Sequence, residues 1–253
     1  MRGSKTKARP LLLLPVVLLI GACAHTGNGS EPPEVDPWEP FNRKMFEFNE
    51  DVDRAVIKPV AKGYRAVVPG GIRKGVGNVF RNLDEPTTIV NDVLQGKFNQ
   101  AAHDVFRFVV NSTFGLLGWF DLATPLGMER HQEDFGQTFS VWGIPRGNYL
   151  VLPLLGPSTV SDGLGLVPST LYTDPRYAAG NTLDTYLIVG ANAVDTRARL
   201  LGASKVVELQ LDPYLFRRET YLQQRNQLIH DGNPPAEEDA GDDDWEDEWE
   251  EWD

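Results

Sequence analysis

The sequence predicts a mainly α-helical protein behind an export leader, and three observations predict it. Apolar residues recur at three- and four-residue spacing from Phe41 to Val109 and again from Leu183 to Ile229. Proline and glycine cut these stripes into separate lengths, as at Pro59, Pro86 and Gly96. After the leader, no uncharged apolar run reaches the roughly 20 residues of a membrane-spanning helix.

Residues 1–22 read as a signal peptide. Arg2, Lys5, Lys7 and Arg9 precede an apolar run from Leu11 to Ile20, too short to span a bilayer stably. The run ends in Gly21-Ala22-Cys23, so the cut is expected between Ala22 and Cys23. Cys23 is the single cysteine of the chain, which excludes a disulfide framework and a thiolate metal cluster. Its place at the first mature position looks like a bacterial lipobox, whose thiol takes a diacylglycerol. Lipidation at Cys23 is therefore expected, in preference to an ordinary signal peptide with an incidental cysteine. Ala24, rather than Asp, follows it, which by analogy with enteric sorting leans towards the outer membrane. Residues 23–35 form a Gly-, Ser- and Pro-containing tether.

The folded part is expected over residues 36–232. Asp36-Pro37-Trp38-Glu39-Pro40 reads as a turn opening a helix with Phe41, Met45, Phe48, Val52 and Ala55 on one face, stopped near Pro59. A second stripe runs from Ile72 to Leu83 and ends before Pro86. A third, Ile89 to Leu94, ends at Gly96, and a fourth runs from Phe98 to Val109. Two uncharged runs follow, Phe108–Phe120 and Gly147–Ser161. Each suits buried core or a segment lying in a membrane, and composition does not choose between them. Pro153, Gly156 and Pro157 oppose a helix in the second run and favour a small hairpin near 144–156. Helical spacing returns at Leu183, Leu187, Val194, Ala198 and Leu201. Asp212-Pro213 then reads as an N-cap with proline at the first helical position, opening a helix through Leu215, Leu222 and Ile229.

The formal charge of −12 belongs to the last segment. Glu237–Asp253 holds 12 acidic residues and no Lys or Arg, which leaves 24 acidic against 24 basic in residues 1–236. A neutral body argues against nucleic acid as a partner. Residues 233–253 read as a disordered acidic tail, since dense like charge opposes helix formation. Were it helical, Trp245, Trp249 and Trp252 would share one face.

Catalytic signals are sparse. His25, His103, His131 and His230 are scattered, with no HExxH, no His pair at helical spacing, no phosphate-binding glycine loop and no GxSxG elbow. No metal or cofactor is expected from these patterns. Ser158, Asp162 and His131 can be assembled on paper into a lipid-hydrolase triad, but such triples arise by chance. Glu133-Asp134 reads as the first turn of a helix. The chain is read as a non-enzyme.

Many segments resemble one family. Asp36-Pro37-Trp38-Glu39-Pro40-Phe41-Asn42-Arg43, Asn82-Leu83 with Glu85-Pro86, Asn91, Leu94-Gln95-Gly96-Lys97, Arg107-Phe108 and Asn111-Ser112-Thr113 stand in order. Glu133-Asp134-Phe135-Gly136-Gln137-Thr138, Trp142-Gly143, Tyr149-Leu150-Val151-Leu152-Pro153, Gly156-Pro157-Ser158 and Asp212-Pro213-Tyr214 complete the set. Together they resemble the MlaA (VacJ) outer-membrane lipoproteins over about residues 36–232. The chain departs at Ser161, where the family pattern has Arg before Asp162, and in the acidic Trp tail. The resemblance implies a ring of amphipathic helices lying in one leaflet of the outer membrane around a central channel, facing the periplasm. It implies removal of misplaced phospholipids from the outer leaflet, beside a trimeric porin, and delivery to a periplasmic lipid carrier. A structural or assembly lipoprotein of the envelope is the alternative, with the lipid hydrolase behind it.

Overall fold

The computed structural model describes residues 36–178 and 181–235. The cleavage and lipidation expected at Ala22 and Cys23, the tether, and the tail tryptophans lie outside those residues. Within them the protein is mainly helical, with one antiparallel hairpin, and no helix is long and apolar enough to cross a membrane.

Helix α1 (Glu39–Val52) starts after a turn closed by the Glu39 amide on the Asp36 carbonyl at 3.1 Å. The expected stop near Pro59 does not occur. The chain runs through a five-residue π turn, Asp53–Ile57, directly into α2 (Lys58–Val67). Pro59 has no N–H for the ladder, and it lies in the first turn of α2, where a missing donor costs least.

The break expected at Pro86 is also absent. Helix α3 (Gly70–Leu94) is one 25-residue rod, about 37 Å long, with Pro86 inside it. Losing one ladder bond at a proline costs about 3 kcal/mol. Here Asn82, Glu85, Thr88, Asn91 and Asp92, on both sides of Pro86, are buried, and this tertiary packing outweighs the local cost. A turn through Gly96 (φ 79°) leads to α4 (Phe98–Thr113), which packs along α3.

Helix α5 (Phe135–Val141) is capped by Asp134, whose carboxylate accepts the Gln137 amide at 2.9 Å. The hairpin foreseen in the second uncharged run pairs β1 (Tyr149–Leu152) with β2 (Gly156–Thr159), Tyr149 facing Thr159 and Leu152 facing Gly156. Helix α6 (Val160–Pro168) follows and continues into a π turn, Ser169–Thr173. Then come α7 (Thr182–Leu200), the short α8 (Ser204–Glu208) and α9 (Pro213–Ile229). The predicted cap of α9 is present: Asp212 Oδ1 accepts the Tyr214 and Leu215 amides at 2.9 and 3.1 Å.

The hairpin has an open strand edge, and α1 covers it with asparagines. Asn42 donates to the Tyr149 carbonyl at 3.1 Å and accepts from the Val151 amide at 2.9 Å. Asn49 does the same for the Leu152 carbonyl (2.9 Å) and the Leu154 amide (2.7 Å). Seven helical residues rise about 10 Å, as do three strand residues, so the two amides match the strand's spacing. They stand in for a third strand.

The packing closes a circuit. Helix α2 lies on α7, α7 on α3, and α3 on α5. Helix α5 meets α9, α9 meets β2, and β1 returns to α1, which is continuous with α2. Among the described residues, the compact apolar cluster is small: Tyr149, Val151 and Tyr214, with Met45, Phe46 and Leu222 among those against them.

Candidate functional site: a polar interior with an apolar exterior

The distribution of side chains is inverted relative to a water-soluble protein. Among the described residues, 10 apolar side chains are buried, against 19 polar or charged ones, and most large apolar side chains of α4 and of the loop after it, with Ile72, Val90, Val93 and Leu94 of α3, are exposed. Contiguous exposed apolar surface on this scale marks an interaction surface.

The interior is held by charge and hydrogen bonds. Arg107, from α4, is its hub. It reaches Glu85 at 3.3 Å, the Met128 carbonyl at 2.6 Å, Thr124 at 3.1 Å and both Asp121 oxygens at 3.3 Å. Burial pushes the Glu85 carboxyl above its usual range, although Arg130 and Arg107 oppose that shift. Burial also raises Asp121, but hydrogen bonds from Thr124, the charge of Arg107 and a hydrogen bond from Asn111 hold it below the usual aspartate value. Further round, Thr138 donates to Asn91 at 2.7 Å, and Gln95 and Lys97 reach Glu133 at 2.8 and 2.9 Å. Of the acidic pair read as a helix first turn, Asp134 is therefore the cap of α5, while Glu133 is buried under Lys97.

Asp162, next to the departure at Ser161, is not left without a cation. Arg225 and the Tyr221 hydroxyl, both on α9, bind its two oxygens, and Arg225 also pairs with Asp134. These contacts join residues 59 to 91 positions apart, which no spacing rule reveals.

The first uncharged run divides. In α4 it presents Val109 outward and buries Val110. Beyond α4, residues 114–120 form a tight loop in which Leu116 (φ 54°) and Leu117 (φ 57°) are left-handed. That conformation costs a β-carbon-bearing residue roughly 1–2 kcal/mol. Backbone bonds hold it, from the Leu117 amide to Ser112 (3.0 Å) and from the Gly118 amide to Asn111 (2.8 Å). Trp119 lies so close to Gly75 that a Cβ there would be 2.4 Å from its ring, and Asn78 donates to the Trp119 carbonyl at 3.0 Å. The result is a rigid loop with Phe114, Leu116, Leu117 and Phe120 all more than half exposed. The core reading of this run does not hold for the loop. The second run also divides, with Tyr149 and Val151 buried and Leu154 and Leu155 exposed at the hairpin tip.

Between α1, the first π turn, α7, α8 and α9 lies a cavity of about 610 Å³, within the usual size of small-molecule sites. Phe46, Val207 and Pro213 supply an apolar wall. Ion pairs supply the rest: Arg197 with Asp53 at 2.7 Å, Arg217 with Glu50 at 2.7 Å and Lys58 with Glu208 at 2.5 Å. The Arg217 guanidinium also sits 5.3 Å from the Phe46 ring centre. Such a site offers cations, carboxylates and hydrocarbon side by side.

The paper triad is not assembled. Ser158 Oγ donates to the Thr159 carbonyl, Asp162 is taken by Arg225 and Tyr221, and His131 faces Asp104 at 3.0 Å. His230 sits at the end of α9 on the Asn226 carbonyl. His103 and His131, scattered in sequence, are neighbours, with ring centres 5.4 Å apart.

The family described as MlaA lipoprotein matches residues 34–228. A protein of Haemophilus influenzae named intermembrane phospholipid transport system lipoprotein MlaA is 34% identical over 232 residues, 90% of this chain and 92% of that protein. The protein of the same name from Escherichia coli K12 is 33% identical over 234 residues, 90% of each. A solved structure described as the structural basis for maintenance of bacterial outer membrane lipid asymmetry superposes with a TM-score of 0.69 at 32% identity. It covers 78% of this chain and all of its own.

Proposed function

The chain belongs to the MlaA lipoprotein family, and we propose that it removes mislocalised phospholipids from the outer leaflet of the outer membrane and passes them to a periplasmic carrier. The observation that carries this reading is the inverted distribution within a closed circuit of helices, polar inside and apolar outside. A phospholipid needs a polar path for its head group beside an apolar one for its tails, because stranding either costs several kcal/mol. A helical ring lying in one leaflet, with a mixed channel through it, provides both, and no helix of spanning length is needed.

In this reading the exposed loop at 114–120 and the outward faces of α3 and α4 lie among acyl chains. The charged cavity receives the head group: the phosphodiester takes Arg197, Arg217 or Lys58, while Glu50, Asp53 and Glu208 accept an ammonium. Each ion pair then exchanges a partner rather than losing one, so the energy of entry stays small. Acyl chains on Cys23 anchor the protein to the outer membrane, with the ring facing the periplasm beside a trimeric porin.

The test is the lipid at the cell surface. Cells lacking the chain should show more phosphatidylethanolamine open to an impermeant amine reagent, and the wild-type chain should restore the low level. Phospholipid should co-purify with the protein in mild detergent. An unchanged outer leaflet with no bound lipid would favour a structural envelope lipoprotein. Release of fatty acid by the pure protein would favour a hydrolase.

A further inference from the structure

Near the start of α4 and the segment before α5 stands a cluster that the transport reading does not use. His103 and Asp104 are consecutive on α4, and His131 lies 27 positions beyond Asp104. The His131 Nδ1 is 3.0 and 3.1 Å from the two Asp104 oxygens, and the His103 Nδ1 is 3.4 Å from Oδ1. One donor atom from each of the three lies within 4.8 Å of the others. A tetrahedral zinc ion with bonds of about 2.0–2.2 Å sets its ligands about 3.3 Å apart, so small side-chain rotations bring these donors to one centre.

A second observation points into the same place. Asp92, from α3, is 0% exposed, and its Oδ2 has no hydrogen-bond donor. Gln100 holds its other oxygen at 2.8 Å, and the carboxyl lies within hydrogen-bonding range of Asp104, itself 0% exposed. Two buried carboxylates therefore face one another. Neighbouring acids have cations: Glu85 has Arg107 and Arg130 at 3.3 and 3.4 Å, and Glu133 has Lys97 at 2.9 Å. Among the described residues, neither Asp92 nor Asp104 has a Lys or Arg at ion-pair distance. Their nearest partners are instead Gln100 on Asp92 and the two imidazoles on Asp104.

We propose that His103, Asp104 and His131, backed by Asp92, bind a divalent transition-metal ion of the zinc class. Two imidazoles exclude the oxygen-seeking Mg²⁺ and Ca²⁺ as preferred ions, and the mixed nitrogen and oxygen set suits tetrahedral Zn²⁺. The two histidines are 36% and 35% exposed, which leaves an entry path from solvent. Asp92 stands behind Asp104, outside the three-donor set, and adds negative charge to the site. The ion ties α3 and α4 to the segment that carries Glu133 and the Asp134 cap, so it acts as a staple of the polar interior. The proposal does not depend on lipid transport.

The experiment uses the full chain, purified in mild detergent and freed of metal with a chelator. Wild type should take up one Zn²⁺ tightly by calorimetry and elemental analysis, and Co²⁺ should give the intense visible bands of tetrahedral coordination. Saturating Zn²⁺ should raise Tm by about 5–10 °C. His103→Gln and His131→Gln change partly exposed residues and should leave the apo fold intact. Each should weaken Zn²⁺ binding at least about 100-fold, and the double variant should lose the Co²⁺ bands and the Tm rise. A folded wild type that binds no Zn²⁺ would overturn the proposal. Zn²⁺ binding that persists in the double variant would also overturn it, since the acidic residues after Glu237 would then hold the ion.

Discussion

Replacing Leu117 by Asp separates the fold from the membrane surface. Leu117 is 74% exposed at the tip of the 114–120 loop, with φ at 57°. Burying a leucine in hydrocarbon is worth about 1.5–3 kcal/mol, and an aspartate costs up to about 3 kcal/mol at full depth and less near the interface. For a loop at the edge of one leaflet, losing the first and adding part of the second comes to about 2–4 kcal/mol. At 1.4 kcal/mol per tenfold, that is about a 30- to 700-fold weaker partition into lipid. The fold should respond in the opposite direction. Aspartate tolerates the left-handed region better than leucine, so relief of up to about 1 kcal/mol should hold Tm or raise it by roughly 2–4 °C.

The assay uses Cys23→Ser chains, so that acyl anchoring does not mask the loop, with co-sedimentation on phosphatidylethanolamine–phosphatidylglycerol vesicles and thermal unfolding in detergent. Leu117→Ala removes the apolar gain without adding charge and should show about half the effect. Unchanged sedimentation of Leu117→Asp would refute the membrane placement of the loop. A Tm fall above about 5 °C would refute the claim that Leu117 is held by its backbone rather than packed.

Asn42→Ala leaves the Val151 amide and the Tyr149 carbonyl without partners at a fully buried site. The expected loss is about 3 kcal/mol, or roughly 6–12 °C in Tm, against about 1 kcal/mol for Asn49→Ala, whose partners water can reach. Equal losses would show that burial of the strand edge is not what Asn42 serves. Asp134 makes stability depend on acid. Burial raises its pKa, but hydrogen bonding and the charge of Arg225 prevail and hold it below the ordinary 3.8. Its side chain is 43% exposed, so solvent screens part of the pairing. A depressed folded value stabilises above the unfolded value, and that contribution is lost as pH falls through the folded one. Asp134→Asn should therefore be less stable than wild type at pH 7, with the gap closing below about pH 4. A gap constant with pH in denaturant melts would remove the ion pair from the account.

Much of this protein was legible in its residues. Stripes such as Phe98–Val109 fix a helix because apolar spacing of three and four is a local property, and the Asp212-Pro213 cap was readable because it involves neighbours only. The family was legible too, from motifs spread along about 200 residues. Tertiary packing decided where local rules compete with burial. Pro86 stands inside α3 because the buried side chains around it outweigh one missing bond, and Pro59 is tolerated in the first turn of α2, directly after the π turn. It also decided which way the uncharged run at 108–120 faces, since apolar composition is the same for core and for lipid. The polar interior lay beyond sequence reading for a plain reason. Arg225 with Asp162, Asn42 with β1, and His131 with Asp104 are pairings across 63, 107 and 27 positions, and only closing the circuit of helices brings such groups within hydrogen-bonding range.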